Sequence, residues 1–118
     1  MKLITEAQHQ QLLANGRKQR DLTGTDEVFD PMPVVKLFTP DANATWLLTE
    51  IDPDEPNIAF GLADLGLGHP EMGSISLTEL RQVRGKLNLP VERDMSFTAD
   101  KTLSDYAKLA YQHRRIVA

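Results

Sequence analysis

The chain has 118 residues, no cysteine and a formal charge of −4, from 13 Lys or Arg against 17 Asp or Glu. That length fits one domain with a core that folds without staples, and the lack of Cys excludes disulfides and thiolate metal sites. The acidic balance argues against broad nucleic-acid binding, which depends on cations neutralising phosphates. The opening residues, Met1 to Glu6, turn polar at once and read as no signal peptide. No apolar run approaches the roughly 20 residues that span a bilayer. A cytoplasmic protein with no membrane partner is expected.

The chain opens on a helix signal. Thr5 is an N-cap residue, and Gln8 stands three residues on as its capping-box partner. Leu12 and Leu13 supply apolar contacts, and Asn15-Gly16 reads as the stop. Residues 17–30 show neither a helical nor a strand period and read as an irregular loop. Arg17, Lys18 and Arg20 form a basic cluster there, and Val28 and Phe29 are placed to pin the loop to the core. A solvated loop is the plain reading, and a partner-binding loop the functional one.

From Leu37 to Leu80 there is no Lys or Arg, while Asp41, Glu50, Asp52, Asp54, Glu55, Asp64, Glu71 and Glu79 all fall inside. The same stretch holds most of the strand-like sequence. Val34–Thr39 is rich in β-branched and aromatic residues, and Pro40–Asn43 has turn chemistry. Ala44–Ile51 follows, with Thr45, Leu47, Thr49 and Ile51 on one face and Ala44, Trp46, Leu48 and Glu50 on the other. Apolar residues on both faces make this a central, covered strand. Asp52–Pro56 is a strong turn, and Asn57–Leu65 is the next strand. Gly66 and Gly68 allow positive φ in the turn that follows, and Met72–Ser76 is a short strand. Close spacing predicts an antiparallel meander.

Two helices follow. Ser76 and Glu79 form a capping box ahead of a face of Leu77, Leu80, Val83 or Arg84, and Leu87, with Gly85, Asn88 and Pro90 ending the helix. Val91–Phe97 reads as extended. Leu103, Tyr106, Ala107, Ala110 and Tyr111 make the clearest amphipathic stripe. His113, Arg114 and Arg115 lie at its end, where cations complement the helix dipole. The expected fold is α+β: a small antiparallel sheet of three to four strands, with three helices packed mainly on one face.

Two blocks, PVVKLFTPDANATWLLTEIDPDEPNIAFGLADLGLGHPEMGSISLTEL and VERDMSFTADKTLSDYA, resemble a bacterial family known only as a domain of unknown function, carried on plasmids and integrative mobile elements. The resemblance covers nearly the whole chain and is weakest across residues 17–30. It implies a small protein of mobile DNA and brings no catalytic residues.

No catalytic motif stands out, and neither a metal nor a cofactor is expected. Asp64, His69 and Glu71 surround a glycine-rich turn and have the donor types for a divalent metal, but their spacing matches no metal-site pattern. Local capping by Asp64 or His69 is the plainer reading. Glu50, Asp52, Asp54 and Glu55 read as an acid/base pair with Asp64 only if buried together, whereas acids in a proline-rich turn are usually solvated. Trp46, Phe60, Tyr106 and Tyr111 read as core.

The leading function is a non-enzymatic accessory protein of mobile elements. It would bind a protein partner of basic surface through acidic loops at Asp52, Asp54, Glu55, Asp64, His69 and Glu71, with inhibition of a host defence as one form. The alternatives are a nucleic-acid-binding module using Arg17, Lys18, Arg20, Arg114 and Arg115 as a joint patch, and a metal-dependent enzyme around Asp64, His69 and Glu71. Antiparallel pairing would put successive turns at opposite ends of the sheet, which splits the acids into two loops.

Overall fold

The structure is a computed structural model and describes residues 2–118. Helix α1 (Glu6–Leu22) is capped as expected: Thr5 accepts from the Gln8 amide, and the Gln8 side chain accepts from the Thr5 amide. It does not stop at Asn15-Gly16. An added Cβ at Gly16 would fall 1.8 Å from the Ile51 carbonyl oxygen, so this glycine lets the helix backbone touch the sheet. Asn15 donates from Nδ2 to the Thr49 carbonyl at 2.8 Å. The pair that resembled a stop is the docking point of a longer helix. The loop expected over 17–30 is corrected accordingly: residues 17–22 are helical, and residues 23–34 form the irregular connector.

The expected strands appear as β1 (Val35–Phe38), β2 (Thr45–Ile51), β3 (Ile58–Asp64) and β4 (Glu71–Ser76). A fifth, β5 (Glu92–Arg93), lies inside the extended segment and pairs with β1. The sheet is antiparallel in the order β4-β3-β2-β1-β5, with β2 central. Trp46, Leu47, Leu48 and Thr49 are all buried, as a strand covered on both faces requires.

A bulge changes the parity of β2. Leu48 pairs with Gly61 and Glu50 with Phe60, which leaves Thr49 as the extra residue. Ile51 therefore joins Trp46 and Leu48, not Leu47, the residue it was expected to accompany. The bulge also explains the Asn15 contact, because the unpaired Thr49 carbonyl takes its hydrogen bond from α1.

Helices cover both faces. On one, Leu12 of α1 and Leu77 and Leu80 of α2 (Leu77–Gln82) pack on Val35, Leu37, Trp46, Leu48, Ile51, Ala59 and Ile75. On the other, Leu103, Tyr106, Ala107 and Ala110 of α3 (Leu103–His113) pack on Leu47 and Leu62. The expected packing on mainly one face thus holds for α1 and α2 and is corrected for α3. Both faces of β2 are apolar, so both need a cover. Ser76 caps α2 by accepting from the Glu79 amide; the expected return bond from the Ser76 amide to the Glu79 side chain is not made, and Asn57 supports the turn instead by accepting from the Thr78 amide. Leu87 lies beyond α2, and both it and Tyr111 are exposed, against the core positions expected for them.

An acidic cleft with an apolar floor

The meander puts the turn from Asp52 to Asn57 at one end of the sheet and the turn from Leu65 to Pro70 at the other. The acids therefore separate into two loops, and the residues around them have different work.

At the second turn, Asp64 is buried and structural. Its Oδ1 accepts from the Gly66 amide at 2.8 Å, and its Oδ2 accepts from the Ile116 amide at 2.9 Å, which ties the chain end to the sheet. Gly66 and Gly68 have φ of 79° and 85°, the left-handed turn their sequence implied. His69 and Glu71 are exposed. Among the described residues, no three His, Asp or Glu side chains converge on a common metal position. The carboxylate that a metal would need is already held by backbone amides.

The basic groups also separate. Arg20 reaches Asp54 at 3.2 Å beside the first turn, whereas Arg114 and Arg115 border a cleft with Asp64, Gly66 and Asn43 at the second. The joint patch of Arg17, Lys18, Arg20, Arg114 and Arg115 is therefore not assembled, because α1 and α3 lie on opposite faces of the sheet.

At the first turn lies a cleft of about 720 Å³. Its floor is the part of the α3 face that α3 leaves uncovered, since that helix begins only at Leu103. Phe60 of β3 and Met72 and Ser74 of β4 share that face, and Glu50 of β2 stands directly opposite Phe60. The connector forms the far wall with Val28, Phe29, Asp30 and Pro31. Asp30 fixes this wall to α3: its carboxylate accepts from the Ser104 amide at 3.1 Å and from the Ser104 hydroxyl, and Pro31 accepts from the Leu103 amide. The loop is thus anchored through Asp30 and Pro31, and not through Val28 as expected, because Val28 is 90% exposed.

Asp52 and Asp54 line the cleft, while Glu55 lies outside it. Asp52 accepts from the Asp54 amide at 2.8 Å and shapes the turn. Burial raises the pKa of Glu50, and the neighbouring Asp52 charge raises it further. Burial alone would raise Asp30 too, but the hydrogen bonds from Ser104 and Thr102 and the Lys108 charge together outweigh it and hold that carboxyl below its ordinary value.

Sequence reasoning missed Phe60 and Met72 as site residues. The strand pattern places Phe60 in the core, yet it is 37% exposed. The alternation of β3 faced it correctly towards one side; what a strand pattern does not carry is where the covering helix begins.

The fold and the cleft define a small α+β protein whose largest described feature outside the core is a cleft with an apolar floor and a carboxylate rim. The chain belongs to the family described as "Protein of unknown function (DUF2958)", whose model matches residues 3–117. No curated protein and no solved structure matches the chain. No helix among the described residues is long and apolar enough to cross a membrane.

Proposed function

We propose that the protein is a non-enzymatic accessory protein that binds a partner of basic surface at the cleft beside the Asp52–Glu55 turn. One observation carries the reading. The cleft combines an apolar floor with Glu50, Asp52, Asp54 and Asp30, and Arg20 is the one cation among its lining residues. Apolar area supplies affinity, while opposite charge speeds encounter and fixes orientation. The exposed Val28 and the anchored connector give the partner a wall to close against.

Asp64, His69 and Glu71 are set aside as partner contacts, because Asp64 is buried and the turn lies at the far end of the sheet. The resemblance of the central block to a family carried on plasmids and integrative elements supports an accessory role in mobile DNA, within the cytoplasm. Inhibition of a host defence protein is one form of that role.

Affinity capture from a bacterial lysate tests the reading. The wild-type chain should retain a basic protein that Asp52→Lys/Asp54→Lys/Glu55→Lys loses and Arg114→Glu/Arg115→Glu keeps. Equal capture by all three chains overturns it.

A further inference from the structure

Resting on that reading, we infer that the cleft seats the charged head of one Arg or Lys side chain of the partner, between the Glu50 carboxylate and the Phe60 ring. The two residues face each other across β2 and β3. Directly opposed side chains stand about 5 Å apart at Cβ, so one planar or tetrahedral cation can touch both. A cation over an aromatic face gains from the ring quadrupole, and more so where water is thin.

Both groups are unengaged. Among the described residues, no ion pair or hydrogen bond holds the Glu50 carboxylate. No described aromatic or cationic group stacks on Phe60. The nearby cations of α1 are committed elsewhere: Lys18 sits 4.5 Å over the Phe29 ring, and Arg20 pairs with Asp54. The protein thus leaves a partly buried carboxylate facing open space that its own cations do not fill.

The alternatives in ligand chemistry fare worse. An anion would meet Glu50, Asp52 and Asp54 together. A neutral apolar group would strip the remaining water from Glu50 and give its charge nothing in return. An Arg or Lys side chain matches the whole cleft, because its aliphatic stem lies along Met72 and Val28 while its head reaches the carboxylate. Its charge would also reverse the upward pKa shift of Glu50.

The test is calorimetric titration of the full chain with a hexa-arginine peptide and, separately, with spermidine. Glu50→Gln keeps the shape of the side chain and should weaken peptide binding roughly tenfold, and Phe60→Leu should weaken it roughly threefold to tenfold. Binding should strengthen as pH rises and Asp30, Asp52, Asp54 and Glu50 ionise, and the part of that rise lying above the ordinary carboxylate range, which belongs to Glu50, should vanish in Glu50→Gln. If Asp52→Asn/Asp54→Asn weakens binding while Glu50→Gln and Phe60→Leu do not, the anchor is overturned and the basic-partner reading stands. Spermidine binding at Glu50 without peptide binding overturns both in favour of a small-amine site. No binding of either probe overturns both outright. Thermal melts of each variant separate a lost contact from a lost fold.

Discussion

Alanine at Gly16 should destabilise the protein, although helix propensity alone predicts the opposite. In a free helix this change gains about 1 kcal/mol. Here the added Cβ would lie 1.8 Å from the Ile51 carbonyl oxygen, 2.9 Å from its carbon and 3.2 Å from Pro53 Cδ. The first two neighbours are backbone, so the helix must move off the sheet. Overpacking of this kind costs about 1–3 kcal/mol. The same displacement pulls Asn15 from the Thr49 carbonyl, and a buried acceptor left without a partner costs about 1–3 kcal/mol more. Net of the propensity gain, the expected loss is about 3 kcal/mol, a large fraction of the roughly 5–15 kcal/mol that holds a domain together. For a chain of this size it should lower the midpoint of a thermal melt by roughly 10–15 °C. Gly73 is the control: nothing lies within 4 Å of its added Cβ and its φ is ordinary. Gly73→Ala should stay within about 0.5 kcal/mol of the wild type. A Gly16→Ala protein that melts at or above the wild-type temperature would refute the close approach of α1 to β2.

Glu50→Gln should make stability less dependent on pH. A carboxyl whose folded pKa lies above the unfolded 4.5 favours folding fully below that pH and loses the contribution as pH rises through the folded value. Urea midpoints between pH 4 and 7 should therefore show a component that declines in the wild type and is absent from the variant. Asp64→Ala frees the Gly66 and Ile116 amides and should cost about 2–4 kcal/mol, read by denaturant unfolding. Added zinc or magnesium should leave the wild-type melting temperature unchanged; a metal-induced rise that Asp64→Ala abolishes would restore the metal reading. Any residual DNA affinity should fall additively in Arg17→Glu and Arg114→Glu, because their clusters lie at opposite ends of the sheet. Strong non-additivity in a fluorescence titration would mean that the two ends act on one ligand after all.

Much of the sheet was legible because its signals are local. Pro40, Pro53 and Pro56 stand where no ladder donor is needed, and the runs between them are β-branched or aromatic. Thr5 and Ser76 each announced a helix start by a side chain that accepts from an amide three residues on, and Thr102 caps α3 in the same way. What was illegible depends on other parts of the chain. Nothing in TWLLTEI marks Thr49 as an extra residue, since the bulge is defined by the register of Leu48 and Glu50 against β3. Asn15-Gly16 has the composition of a helix end, and only the approach of β2 shows its use. The cleft was the least legible of all. It exists because α3 begins at Leu103, because Asp30 ties the connector to Ser104, and because Phe60 and Met72 lie on the uncovered part of that face.

The central claim is that the end of the sheet holding Glu50, Asp52 and Phe60 is the binding end. Backbone amide NMR during titration with hexa-arginine reads this most directly. Shifts should concentrate at Val28–Asp30, Glu50–Asp54, Phe60 and Met72–Ser74, and should weaken as salt is added. Shifts centred instead on Gly66–Glu71 and Arg114–Ile116, or spread evenly over the molecule, would contradict it.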